Sequence, residues 1–138
     1  MTIGVVDSTV IIHVFRKNPA ARDWLNAQPV RLLVTPITWM EVIDGAPGKA
    51  GQATCKAILS QFDMEYLTPT DMDWAMQQLE RYRLSHGVGI HDCLIASVCH
   101  RLQVSIYTHN LKDMRVLLDE TLSSWTKVFI YTIVIGSN

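Results

Sequence analysis

The chain has 138 residues, of which 49% are hydrophobic and 18% charged, and this composition excludes a disordered or fibrous protein and predicts one compact domain spanning residues 1-138. Twelve basic and thirteen acidic residues give a net charge of -1, so no global field draws the chain onto nucleic acid, and any such contact needs a local basic patch. Three cysteines without CxxC spacing are typical of reduced thiols packed in a core and argue against a disulfide framework or a zinc site: Cys55, Cys93 and Cys99.

The first part of the chain alternates short apolar strands with helices. Ile3 to Val6 is a β-branched run that predicts a buried strand, and the apolar segment Ser8 to Phe15 predicts a helix packed against it. A second helix is predicted to begin at Pro19 and to end before Pro29. Leu32 to Val34 is predicted to form the second buried strand.

The middle of the chain continues this alternation with a helix that begins at Pro36 and ends near Gly45. Within that helix Glu41 lies beside apolar residues, where a charged group is costly to bury without a cation or a partner. The next segments are predicted to be a turn, a short helix and a third strand, in the order Gly48 to Gly51, Thr54 to Phe62 and Glu65 to Leu67.

In the last part, Asp71 is predicted to be a structural N-cap that opens an amphipathic helix. The helix after Asp92 is apolar nearly all round, which indicates a central, buried position. Val104 to Tyr107 is the fourth predicted strand, and Val128 to Ile135 is a candidate for the last. This alternation predicts an α/β fold with a mainly parallel sheet covered on both faces.

Four acidic residues lie where predicted elements meet a polar turn or a helix start: Asp7, Glu41, Asp92 and Asp113. Two of them, Asp7 and Asp113, follow predicted strands, and ligands bind outside the carboxyl ends of parallel strands. Glu41 and Asp92 are expected on helix starts that face the same edge. Because clustered carboxylates repel one another, the usual reason to assemble them is to hold Mg²⁺ or Mn²⁺, which most often handles phosphates. Each acid alone could instead be a cap, a turn residue or a solvated side chain.

Hydroxyl and amide side chains accompany the acids and could hold bound water or a phosphate oxygen, or merely satisfy backbone groups at turns: Ser8, Thr9, Thr108 and Asn110. His91 and His109 could each touch substrate, but we interpret them as exposed turn residues. The chain contains no GxxxxGK[ST], GxGxxG or HExxH motif, which argues against a nucleotide-binding loop and a zinc protease.

Four segments in this order resemble the motifs of the PIN-domain nucleases and, among them, the VapC-like toxins of toxin–antitoxin pairs: Val5 to Ile11, Thr38 to Gly45, His91 to Ser97, and Tyr107 to Met114. The resemblance implies a three-layer α/β/α sandwich and Mg²⁺- or Mn²⁺-dependent cleavage of RNA. It also implies a cognate antitoxin and a homodimer. In some relatives the fourth acid stands at the position of Asn110, so here the fourth carboxylate is expected from Asp113.

On this interpretation the four acids are the catalytic metal ligands, and basic residues flanking the first and fourth motifs are candidates for contacts with RNA phosphates: Arg16, Lys17, Lys112 and Arg115. Two alternatives remain open, a non-catalytic PIN-like interaction module and a metal-dependent phosphatase of small molecules. Neither a signal peptide nor an apolar run near the ~20 residues of a membrane span is present, so we expect a cytoplasmic protein.

Overall fold

The structure, a computed structural model, describes residues 3–118. Within that range strands and helices alternate in this order: β1 (Gly4–Val6), α1 (Ser8–Phe15), α2 (Pro19–Asn26), β2 (Leu33–Val34), α3 (Pro36–Asp44), α4 (Gly48–Leu59), β3 (Asp63–Met64), α5 (Pro69–His86), α6 (Ile90–Leu102), β4 (Ser105–Tyr107) and α7 (Leu111–Leu117). The strand predicted at Val128 to Ile135 lies outside the described residues.

The described strands form one parallel sheet in the order β3-β2-β1-β4. Successive residues of a strand point to opposite faces of the sheet. The sheet therefore packs against one hydrophobic core on each face. Val6 packs with residues of α1 to α4, whereas Val5 packs with residues of α5, α6 and α7. The predicted three-layer α/β/α sandwich is confirmed.

The central helix α6 has the predicted buried position, because its residues from Ile95 to Cys99 are almost fully inaccessible to solvent. All three cysteines are buried free thiols, as predicted, with Cys55 in one core and the other two in the second. No helix within residues 3–118 is both long and apolar enough to cross a membrane.

The turn predicted at Gly48 to Gly51 is wrong, because α4 begins at Gly48 and runs to Leu59. Gly48 has φ +65°, a conformation that glycine adopts without strain, and Pro47 precedes it. The helix buries Cys55, Ile58 and Leu59. This packing outweighs the low helix propensity of the two glycines.

The predicted position of the third strand, Glu65 to Leu67, is wrong, because β3 is Asp63–Met64 and ends directly before that segment. The backbone N–H of Asp63 donates to the carbonyl of Leu32 at 2.9 Å. The Arg31 guanidinium donates to the Asp63 carboxylate, also at 2.9 Å. Pairing with β2 therefore determines the position of this strand.

Asp71 is structural, as predicted, but it is not the N-cap of α5. Thr68 is the cap: its hydroxyl accepts from Asp71 N, and the Asp71 carboxylate accepts from Thr68 N at 2.9 Å, which forms a capping box. Asp71 is also buried and paired with Arg101 of α6. One carboxylate thus starts α5 and ties it to α6.

Candidate active site

Asp7 lies directly after β1 and is the N-cap of α1, with a side chain only 2% exposed. Its Oδ1 accepts from the backbone N–H of Ser8 at 2.7 Å, and its Oδ2 accepts from the Thr108 hydroxyl at 2.6 Å. Burial raises the pKa of the Asp7 carboxyl, while these hydrogen bonds act in the opposite direction. Asp7 is therefore a buried carboxylate held by neutral donors.

Asp92 and Asp113 are each the third residue of their helices, α6 and α7. The side-chain amide of Asn110 donates to Asp92 Oδ2 at 2.8 Å and to Asp113 Oδ2 at 3.4 Å. Asn110 thus bridges the two carboxylates, and the structure brings the third and fourth predicted acids together.

The pKa of Asp92 is raised to about 8. Burial is the largest cause, followed by the hydrogen-bonding contact with Asp113 and the negative charges of Asp7, Asp113 and Glu41. Asp7, Asp113 and Glu41 are therefore all near enough to Asp92 to disfavour its ionisation.

Glu41 does not lie at a helix start, as the sequence suggested, but is the sixth residue of the nine-residue helix α3. Its side chain and that of Asp92 line the same cleft. Its Oε2 accepts a hydrogen bond from His91 Nδ1 at 2.9 Å. Its Oε1 is buried and has no hydrogen-bond partner within the described part of the chain. Such an atom is costly unless a ligand satisfies it.

The polar residues predicted beside the acids all contact them or one another. Ser8 and Thr9 direct hydroxyls to the Asp7 carboxylate at 3.4 and 3.3 Å. The hydroxyl of Thr108 also accepts from the backbone N–H of Asn110 at 2.9 Å. These side chains hold the carboxylates in place and support the turn after β4.

The four basic candidates are all exposed. Arg16 and Lys17 follow the C-terminal end of α1, and Lys112 and Arg115 lie on α7. Burial, followed by the charges of His109 and Arg16, lowers the pKa of His13, and the rings of His13 and His109 are in contact.

Two residues of the cleft were not among the predicted site residues. His91 was interpreted as an exposed turn residue, with contact to substrate as the alternative; it is exposed, but it is the second residue of α6 and contacts Glu41. Arg83, near the end of α5, donates to the carbonyls of Gly87 and Val88 at 3.3 and 3.1 Å. Both line a cleft of about 640 Å³ bordered by Glu41 and Asp92. The adjacency of His91 to Asp92 was the only signal in the sequence.

A second, apolar groove of about 690 Å³ adjoins Glu41 between α3 and α6. Met40 and Ile90 line it and are 54% and 60% exposed. The groove also contains the carboxylates of Glu41 and Asp44. An apolar surface with a negative rim fits a partner that carries apolar and basic side chains.

The donors at this site fit a divalent cation of the Mg²⁺ type. Carboxylate and hydroxyl oxygens are the ligands such ions prefer, and Glu41 Oε1 is a buried acceptor without a partner in the described residues. The crowding that raises the Asp92 pKa is relieved by positive charge. Among the residues that the structure describes, no three His, Cys, Asp or Glu side chains are already arranged as a ligand set.

Comparisons with known proteins agree with the fold. The family model of the PIN domain matches residues 4–115. No curated protein sequence matches the chain.

Several solved structures share the fold. A toxin–antitoxin complex from Klebsiella pneumoniae contains a chain with 23% identity and a TM-score of 0.68, over 80% of this chain and 88% of that chain. VapBC2 from Rickettsia felis, bound to a DNA fragment from its promoter, has 18% identity and a TM-score of 0.69, over 83% and 92% of the two chains. FitAcB from Neisseria gonorrhoeae has 16% identity and a TM-score of 0.68, over 83% and 93%.

Proposed function

The chain belongs to the PIN domain family, and from this premise we propose that it is a metal-dependent endoribonuclease that acts as the toxin of a toxin–antitoxin pair. One observation carries the proposal. The half-buried Asp92 carboxylate shares the Asn110 amide with Asp113, its ionisation is disfavoured by burial and by the charges of Asp7, Asp113 and Glu41, and no cationic side chain pairs with it in the described residues. A bound cation would offset this negative charge.

Asp7, Glu41, Asp92 and Asp113 would hold Mg²⁺ or Mn²⁺. When bound, the cation lowers the pKa of a water molecule and neutralises charge on the phosphodiester. The protein orients the acids: Thr108 and the start of α1 hold Asp7, and Asn110 holds Asp92 against Asp113. No side chain of the cluster has to act as the nucleophile.

The surroundings of the acids favour a polymer over a small phosphate ester. Arg16 and Lys17 follow α1 and Lys112 and Arg115 lie on α7, all exposed, and Arg83 lines the cleft. Cationic side chains spaced along a surface contact successive phosphates of a strand. We therefore prefer RNA to a small-molecule substrate.

The partner we propose is an antitoxin, because the structural neighbours are toxin–antitoxin complexes. The apolar groove between α3 and α6, with Glu41 and Asp44 at its rim, is where we place it. A segment bound there would carry apolar residues and a basic side chain next to the acids. We further propose a cytoplasmic homodimer, which light scattering during size-exclusion chromatography would test.

Cleavage of labelled total RNA tests the central proposal. The purified chain, without bound metal, should cleave RNA after Mg²⁺ or Mn²⁺ is added and not after EDTA is added. The Asp7→Asn variant, which keeps an N-cap, should be folded and inactive. The control is Asp73→Asn, an exposed acid on α5, which should cleave like the parent.

Cleavage that persists in EDTA, or in Asp7→Asn, would contradict the proposal. A folded parent that binds RNA without cutting it in either metal would identify the chain as a non-catalytic module instead.

A further inference from the structure

Glu41 is the least constrained of the four acids by its own backbone. Asp7 is an N-cap, and Asp92 and Asp113 lie in the first turns of helices. Glu41 instead extends a longer side chain from the middle of α3. A glutamate has three rotatable side-chain bonds, and fixing them costs conformational entropy.

One described hydrogen bond fixes this side chain. Nδ1 of His91 lies 2.9 Å from Glu41 Oε2, whereas Oε1 is buried without a partner. The Glu41 side chain is 27% exposed and that of His91 is 61% exposed. The histidine therefore occupies the solvent side of the carboxylate, and the other oxygen is turned inward.

His91 and Asp92 are neighbours on α6, so one turn of helix contributes to two acids of the cluster. Asp92 meets Asn110, and His91 reaches across to α3. The bond between His91 and Glu41 sets the position of the α3 carboxylate relative to the α6 carboxylate.

From this geometry we propose that His91 is a positioning residue, which holds Glu41 with Oε1 directed into the cluster and so strengthens cation binding. The inference rests on the proposed metal-dependent function. Partners that orient a metal-ligating side chain commonly contribute about 10- to 100-fold to metal affinity. His91 acts on Glu41 and does not need to touch the RNA.

Calorimetric titration of the RNA-free chain with Mn²⁺ alone tests this role. His91→Ala should weaken Mn²⁺ binding by about 10-fold or more. His91→Asn, whose side-chain amide can donate from nearly the position of Nδ1, should stay within about threefold of the parent. The control is His86→Ala, an exposed histidine bonded to Ser85 at the end of α5, which should bind like the parent.

Kinetics provide a second measurement. If His91 only positions Glu41, His91→Ala should lose kcat at limiting Mn²⁺ and regain most of it at saturating Mn²⁺, with KM for RNA unchanged. Because His91 is exposed, thermal unfolding should give His91→Ala nearly the same Tm as the parent.

Equal Mn²⁺ affinity of the parent and His91→Ala would overturn the inference and leave the proposed function intact. A loss of kcat that saturating Mn²⁺ does not restore would overturn it too and assign His91 a direct catalytic role. A parent chain that binds no Mn²⁺ would instead refute the proposed function, and the inference with it.

Discussion

At the residue scale, the acids of the site are held mainly by neutral groups. Hydroxyls, an amide and backbone N–H groups contact Asp7, Asp92 and Asp113, and within residues 3–118 none of the three forms an ion pair. Neutral donors fix a carboxylate without cancelling its charge. The negative charge remains available to an added cation, at a cost to the stability of the metal-free protein.

We expect Asp92→Asn to lower activity while leaving the fold intact or more stable. The amide oxygen can still accept from Asn110, and an amide avoids the ionisation that burial and the charges of Asp7, Asp113 and Glu41 disfavour. RNA cleavage should fall by about 100-fold or more. Thermal unfolding without metal should give a Tm at or above that of the parent. A variant with a markedly lower Tm would show that the Asp92 charge stabilises the fold.

Thr108→Val should destabilise the chain, because it removes a buried hydroxyl while it keeps nearly the same side-chain shape. That hydroxyl donates to Asp7 Oδ2 at 2.6 Å and accepts from Asn110 N at 2.9 Å. Losing both hydrogen bonds should cost about 1–3 kcal/mol of unfolding free energy, measured in urea. Thr108→Ser keeps the hydroxyl and serves as the control. Equal losses in both variants would assign the effect to packing of the methyl group.

At the scale of the elements, capping side chains and prolines determine where several helices begin. Asn18 caps α2, Thr35 caps α3 and Thr68 caps α5, and in each case proline is the first helical residue. The capping box of α5 has an added contact, because Asp71 also accepts from Arg101 at 2.9 Å. The start of α5 and the C-terminal end of α6 are thereby joined, away from the acids that follow β1 and β4.

Asp71→Ala should therefore reduce stability without affecting metal binding. The change removes the acceptor of Thr68 N and leaves the Arg101 side chain, 31% exposed, without this partner. The expected loss is about 1–3 kcal/mol of unfolding free energy. Chemical unfolding measures the loss, and calorimetry with Mn²⁺ should give the parent's affinity. The control is Asp73→Ala, on the exposed face of α5, which should change neither the free energy of unfolding nor the Mn²⁺ affinity. Weaker Mn²⁺ binding by Asp71→Ala would contradict this prediction, because it would link this end of α5 and α6 to the site.

Element boundaries were predictable where a local signal coincided with the tertiary contacts. Pro36 started α3 as expected, and the β-branched run before Asp7 formed β1. The glycines at the start of α4 indicated a turn, and only the burial of Cys55, Ile58 and Leu59 against the sheet made that segment helical. The position of β3 depends on pairing with β2, some 30 residues earlier in the chain, which a local pattern does not contain.

At the scale of the whole molecule, the edge of the sheet at which three of the acids lie was predictable and their detailed contacts were not. Asp7, Asp92 and Asp113 stood beside the predicted strands and helix starts, so their edge of the sheet followed from topology. Glu41 approaches from mid-helix, and its bond to His91 joins positions 50 residues apart. Arg83 lies in none of the four sequence motifs, so its position in the cleft was not predictable. Contacts of this kind depend on how helices pack on the sheet.

Divalent cations should stabilise the entire chain. An ion that binds only the folded protein at 100 times its Kd adds about 2.7 kcal/mol, which should raise the Tm by roughly 5–10 °C for a chain of this length. Scanning calorimetry with Mg²⁺ or Mn²⁺ measures the shift. Glu41→Gln, which keeps the shape and one acceptor, should show a smaller shift. An equal shift in that variant would place the ion elsewhere.

The parallel pairing of β1 with β4 also determines when the cleft exists. Val5 lies opposite Ile106, and Asp7 N donates to Tyr107 O at 2.9 Å, so the first acid meets its partners across about 100 residues of chain. During synthesis on the ribosome, Asp7 emerges about 100 residues before Thr108 and Asp113. The nascent chain therefore has no complete cluster until Asp113 has emerged and β4 has joined the sheet. A translation product that stops before that residue cannot assemble the site.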